Sequence, residues 1–390
     1  MKKKYLFLLF CIYLLFGHIS VAQRNALPAL SNDAVFSLIT CTPGHDLYNQ
    51  FGHSAIRLRD SNLGLDFVYN YGTFNFDTPN FVLKFIERKL MYTLSKSYFK
   101  SFLNVYVHEG RGVSEQIIAL DSVQRQKLFE TLETNYLPQN REYLYDFFYD
   151  NCATKIRDIF ASIGNLKIEE AKSTKTFRAY LYEYLNKDPW LNFGIDLILG
   201  LEADKVCNNK MQMFLPDYLS YNLEKSSLNG KNLMEKTSWI LSKPEKKSLR
   251  HIFTPFICCS IIFTLPLILV FLKRHKVLRI WEITILTTFS LSGLFLLFMW
   301  FGTDHIATQK NLNILWANPL YILWIFTAYR KKLSNFARYS GYLLLSSNAL
   351  VLFMFIFPFQ EFNISVLPLV LLSSLALCRV LFFNSNFNEK

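Results

Sequence analysis

His53 and Cys152 are the residues whose types best suit covalent chemistry, since a thiol beside an imidazole is the minimum equipment for acyl transfer. His53 stands in Thr40 to Arg59, TCTPGHDLYNQFGHSAIRLR, at the mouth of an alternating segment. Cys152 stands in YDNCATKIR, Tyr149 to Arg157, where a helical periodicity begins. A thiol attacks an acyl carbon as thiolate, and a helix N-terminus or a nearby histidine lowers its pKa. Cys152 has the first by position, and His53 supplies the second if the fold brings its strand beside the helix start. The backbone N–H of Cys152 is then the natural first donor to an oxyanion. A third group should fix the imidazole tautomer; Asp66 and Asn70 are the candidates on the next strand, with Asn70 preferred. His45, His53 and His108 lack a compact ligand spacing, so no metal or cofactor is assigned. On residue types alone the bland alternative, a core cysteine and a surface histidine, outweighs the catalytic one.

Residues 24 to about 225 mix strand and helix signals. Ala34 to Cys41 reads as a short apolar strand closed by Pro43-Gly44. Ser54 to Leu58 alternates, Ile56 and Leu58 on one face and Arg57 and Arg59 on the other, which predicts a half-buried strand. Further extended stretches are expected at Phe67–Tyr71, Met91–Ser97 and Val113–Ala119, and a helix over Phe81–Lys89. Asp121 should cap a helix that runs to Tyr136 and is stopped by Pro138. In the Cys152 helix, Ala153, Ile156, Ile159, Phe160 and Ile163 recur at helical spacing. Asp150 or Asn151 is placed to cap it and Gly164 to end it. The polar stretch 226–250 reads as a linker.

The two ends of the chain have a different texture. Lys2, Lys3 and Lys4, an apolar run from Tyr5 to Phe16 and small residues up to Ala22 have the layout of a secretory signal over residues 1–22. Five apolar runs follow the linker, at about 252–272, 280–301, 312–329, 339–358 and 364–383, each near bilayer length. Lys273, Arg274, Lys276 and Arg279 fill the first loop between them, and Arg330, Lys331, Lys332 and Arg338 the third. The second holds only Lys310. By the positive-inside rule the first and third loops are cytoplasmic, so residues 24–250 face the periplasm, above a multi-pass inner-membrane domain.

The formal charge of +12 divides accordingly. Residues 23–250 hold 28 basic and 26 acidic side chains, and residues 251–390 hold 11 and 4. The excess sits at the membrane-associated ends, which argues against nucleic acid as a partner. Of seven cysteines, Cys41, Cys152 and Cys207 belong to the exported part. An odd number in an oxidising compartment leaves at least one thiol, and a Cys41–Cys207 disulfide would leave Cys152.

GHSAIR followed about a hundred residues later by DNCATKIRD resembles the circularly permuted branch of the papain-like, NlpC-type fold, to which lecithin:retinol acyltransferase-like enzymes belong. TCTPGHDLYNQFGHSAIRL, VYNYGTFNF, YDNCATKIRD and MFLPDYL together resemble the Lnb family of lipoprotein N-acyltransferases. The resemblance implies an α+β permuted papain-like domain followed by an all-α transmembrane domain of about five helices. It implies His53 as base and Cys152 as nucleophile, with Asn70 offered as third group. It further implies a membrane phospholipid as acyl donor, a diacylated lipoprotein as acceptor and no cofactor. A membrane-tethered thiol amidase acting on cell-wall peptides, or a non-catalytic exported scaffold, would keep the same fold. In the second membrane loop, Asp304, His305, Asn311 and Asn313 are candidates to shape a substrate entrance, beside the blander expectation of a solvated loop with Trp316 at the interface.

Overall fold

The structure, a computed structural model, describes residues 27–169, 173–243, 252–330 and 333–383. The expected signal over residues 1–22 lies outside them. The N-terminal half is an α+β domain built on one antiparallel sheet. Its strands are β1 (Val35–Cys41), β2 (His53–Asp60), β3 (Leu65–Thr73), β4 (Met91–Tyr98), β5 (Val113–Ile118), β6 (Glu142–Leu144) and β10 (Met234–Leu241), in the order β10-β5-β1-β2-β3-β4-β6. A small second sheet joins β7 (Leu166–Lys167), β8 (Ser227–Leu228) and β9 (Lys231–Asn232). The segment expected as a linker is therefore strand in part: β10 completes the sheet edge by pairing with β5. Residues 244–250 lie outside the described residues.

Helices cover both faces of the main sheet. They are α1 (Phe81–Glu87), α2 (Phe99–His108), α3 (Ser122–Tyr136), α4 (Cys152–Ile163), α5 (Phe177–Leu185), α6 (Pro189–Ile198) and α7 (Pro216–Glu224). On one face Phe36, Leu38, Ile56, Leu58, Tyr69 and Tyr71 pack against Leu128 and Leu132 of α3, Ile156 and Phe160 of α4 and Leu219 of α7. On the other, Ile39, Cys41, Ala55 and Val68 meet Phe99, Phe102 and Tyr106 of α2. Because α2 covers this second face, β2 is not the half-buried strand its alternation predicts. Arg57 is buried there, bonded to Asp66 at 2.7 Å and Glu115 at 3.1 Å, its guanidinium 3.6 Å from the Phe99 ring centroid. Pairing both ways makes that burial tolerable.

Beyond β10 lie five helices among the described residues: α8 (Pro255–Phe271), α9 (His275–Phe301), α10 (Leu320–Ala328), α11 (Asn335–Met354) and α12 (Val366–Phe383). Each expected apolar run holds one of them, but their lengths differ. α9, with 27 residues, and α12, with 18, are long and apolar enough to cross a bilayer core. α10 has only nine residues and follows the one-turn 3-10 helix Leu312–Leu315. A joint core of Phe289, Trp316, Tyr321, Trp324, Leu344 and Leu377 holds the helices together. Trp316, expected at the lipid interface, lies instead inside this core, its indole N–H donating to Asn313 Oδ1 at 2.9 Å.

Candidate functional site

The Asn-Cys pair makes sense first as helix chemistry. Asn151 takes the N-cap position of α4, where its Oδ1 accepts the N–H of Ala153 and of Thr154 at 2.9 Å each. Thr154 Oγ1 answers by accepting the Asn151 N–H at 2.7 Å, completing a capping box. The asparagine's Nδ2 donates to the carbonyls of Phe147 and Phe214, at 2.7 and 2.8 Å. Every polar group of this side chain is thus committed to fixing the helix start. Cys152, the first helical residue, is delivered there with its thiol buried and its own N–H left outside the cap.

His53 opens β2 opposite Cys41 of β1. Gly52 before it takes φ +82°, and a Cβ there would stand 2.8 Å from the Cys41 carbonyl oxygen and 3.6 Å from Pro216 Cβ. Glycine is required on both counts. His53 Nε2 donates to Asn70 Oδ1 at 2.5 Å. With Nε2 so engaged, Nδ1 is the ring nitrogen left for Cys152, whose charge and hydrogen-bonding act on the imidazole. Asp66, the other candidate for the third position, is held away by Arg57.

The electrostatics of the pair agree from both sides. Burial alone would push the Cys152 thiol up, but the charge and hydrogen bond of His53, with the backbone N–H groups of Ser54 and Ala153, bring it below its ordinary value of 9.0. Burial likewise pushes His53 down, while the facing thiolate and the Asn70 bond outweigh it and raise the imidazole above 6.5. Each member of the pair shifts the other toward its charged form, thiolate and imidazolium. Cys41, by contrast, is pushed up to about 12, burial being the main cause, and Cys207 also to about 12 by burial. Both are free thiols in separate cores, so the Cys41–Cys207 disulfide that the odd count leaves open does not form.

The walls of the site come from residues that sequence reasoning passed over. Between Asn70 and Thr73, β3 bulges against β4, and Gly72 takes φ +89°. A Cβ on Gly72 would lie 3.6 Å from Cys152 Cβ, 3.6 Å from the Tyr145 ring and 3.8 Å from the Tyr143 hydroxyl. That hydroxyl is buried and has no hydrogen-bond partner. Burial first, and then the neighbouring Cys152 charge, push the Tyr143 pKa well above 10.0, so the group stays a proton donor. No periodicity announces Tyr143, because β6 has three residues.

The four residues expected at a substrate entrance lie at the seam between the two halves. Asn311 and Asn313 are buried, and their side-chain amides donate to the Leu197 carbonyl at 2.8 and 3.2 Å. Asn311 Oδ1 accepts from Asn313 N at 2.9 Å. These asparagines close an interface and have no polar edge left to line an entrance. The Asp304 N–H donates to Glu87 O at 3.1 Å, its carbonyl accepts from Arg88 Nη1 at 3.1 Å, and His305 Nε2 donates to Phe85 O at 3.1 Å. Nearby, Gly200 N–H donates to Ala307 O at 2.9 Å, and a Cβ on Gly200 would lie 1.9 Å from Gln309 O.

Fold and site together define a two-part protein, an α+β domain with a buried thiol–imidazole–amide constellation followed by apolar helices. Two family profiles match it: the Lnb N-terminal periplasmic domain over residues 23–184 and the Lnb transmembrane domain over residues 245–386. The chain belongs to the Lnb family, and it is a membrane protein with a periplasmic domain. No curated protein and no solved structure matches it.

Proposed function

We propose that the protein is a lipoprotein N-acyltransferase that moves a fatty acyl group from a membrane phospholipid, by way of a Cys152 thioester, to the N-terminal amine of diacylated lipoproteins. The observation that carries this reading is the convergence of four separated sequence blocks on one thiol. TCTPGHDLYNQFGHSAIRL brings His53 and VYNYGTFNF brings Asn70 and Gly72; YDNCATKIRD brings the capped cysteine. MFLPDYL supplies the Phe214 carbonyl that anchors Asn151 and the Pro216 that flanks Gly52. The histidine strand precedes the cysteine helix, the order of a permuted papain-like domain.

In the first half-reaction the Cys152 thiolate attacks the ester carbonyl carbon of the phospholipid. The oxyanion that forms is met by the Cys152 N–H and the unpartnered Tyr143 hydroxyl. Collapse breaks the C–O bond, and the departing lysophospholipid alkoxide takes its proton from the His53 imidazolium. In the second, the neutral amine of the acceptor attacks the thioester and neutral His53 takes the proton it sheds. Cleavage of the C–S bond yields the amide and restores the thiolate–imidazolium pair. Asn70 holds the ring through Nε2, leaving Nδ1 to serve the thiol throughout. Burial of the thiol keeps out the water that would hydrolyse the thioester. Both substrates share the outer leaflet of the inner membrane, where tethering raises their effective concentration.

Cys152→Ala or His53→Ala, produced as the full chain and checked for membrane insertion, should leave a reporter lipoprotein diacylated in its mass spectrum. Wild-type N-acylation by either variant would overturn the mechanism.

A further inference from the structure

We infer that α1, with the aromatic residues leading into it, is a lipid-facing element that conducts a phospholipid acyl chain from the bilayer to Cys152. The inference rests on the acyl-transfer reading and specifies the surface through which its donor enters. None of the seven residues of α1 is buried. Val82 is 67% exposed, Leu83 51% and Phe85 41%, and Phe76 just before the helix is 62% exposed. Scattered apolar residues on a surface are ordinary, but a contiguous group of this kind marks a binding face.

Position identifies the occupant. The Glu87 and Phe85 carbonyls and the Arg88 side chain are bonded to Asp304 and His305, which follow directly on the end of membrane helix α9 at Phe301. A seven-residue helix is only about 10 Å long, so all of α1 lies within reach of the membrane boundary. The C-terminal end of α1 is therefore tied to the end of a membrane helix, and a bilayer acyl chain is the ligand its apolar face meets.

An unbroken series of rings leads inward from this face. Centroids of Phe85 and Phe81 are 6.3 Å apart, Phe81 and Phe74 5.8 Å, Phe74 and Tyr92 5.2 Å, and Tyr92 and Tyr145 4.5 Å. Tyr145 then borders the Gly72 position that touches Cys152. Arg88 ties the two ends together, since its Nε donates to the Tyr145 carbonyl at 2.8 Å while its Nη1 reaches Asp304. Rings packed at these spacings form a continuous apolar surface against which methylene groups can lie.

The test uses the full-length protein in phosphatidylethanolamine–phosphatidylglycerol vesicles doped with a phospholipid bearing a diazirine near the end of one acyl chain. Illumination and peptide mass mapping should place label in residues 74–85 as well as in the helices of 255–383. Val82→Asp/Leu83→Asp should cut both that label and acyl-Cys152 formation from vesicle lipid about tenfold or more, leaving acylation by water-soluble p-nitrophenyl butyrate within about twofold. Label confined to 255–383 overturns the inference, as does cross-linking of α1 to a second copy or to an added apolar peptide in place of lipid. An equal loss with the soluble ester overturns it too. Label on α1 in a wild-type protein that never forms acyl-Cys152 upholds the lipid contact and sinks the acyl-transfer reading instead.

Discussion

The thiol–imidazole corner and the seam are both built from buried polar groups, and they treat those groups in opposite ways. At the seam Arg178 is fully buried, yet bonded to Asp196 at 2.5 Å and to Asp204 at 2.8 Å. Asp196 also accepts from Tyr182 at 2.8 Å and from Asn363 at 3.2 Å, and Gln360 joins Leu312 to Asn311. At the corner the satisfaction stops short. Among the described residues seven buried side-chain nitrogens or oxygens have no partner; Thr40 Oγ1, Asn49 Oδ1, Ser54 Oγ and Tyr143 Oη lie in or beside the segments that frame His53 and Cys152, whereas the seam helix α6 leaves one, Asn192 Oδ1. A closed network specifies a shape, whereas an open one keeps bonding capacity for something that arrives later. Buried polarity therefore distinguishes scaffold from site here only when the partners are counted.

Substitutions at the corner should lower the rate without loss of stability, and those at the seam should do the reverse. The largest effect is expected from His53→Ala, which should lower acyl transfer by about 10²- to 10⁴-fold. It should also move the pH midpoint of iodoacetamide alkylation at Cys152. In the wild type the midpoint lies below 9.0, and in the variant it rises, because burial remains while the cation that opposed it is gone. An unmoved midpoint would separate the imidazole from the thiol. Next, Tyr143→Phe should lower the rate by about 10²-fold while raising stability by about 1 kcal/mol, since it deletes an unpaired buried hydroxyl. Chemical denaturation and single-turnover thioester formation read the two effects separately. The smallest rate effect should come from Asn313→Leu, which strips the Trp316 indole and the Leu197 carbonyl of a partner. A destabilisation of about 1–3 kcal/mol is expected, with acylation below the unfolding transition changed less than about tenfold. A seam variant that kept its stability and lost its activity would dissolve the contrast.

What was legible in the sequence was local. Asn151, Cys152 and Thr154 lie within four positions, so the cap that sets the thiol can be read from the order of residue types. The alternation of β2 likewise marks a strand, although it misjudges how much of it is covered. Coverage depends on α2, some forty residues further along the chain. The same limit explains Asn311 and Asn313. Polar residues beside apolar runs look like a solvated entrance, and the carbonyls that bury them come from positions 114 to 117 residues earlier. Tyr143 was hidden for the complementary reason, since an absent hydrogen bond leaves no trace in a sequence. β10 has the look of a linker because its polar side chains face outward while its backbone completes the sheet.

The close approach at Gly200, where backbone meets backbone with no room for a methyl group, also governs how substrate can be supplied. A head seated this closely on its base favours acceptors that arrive by diffusing in the plane of the membrane. Turnover then depends on how many acceptors share a unit of bilayer area, and diluting proteoliposomes in buffer should leave it unchanged.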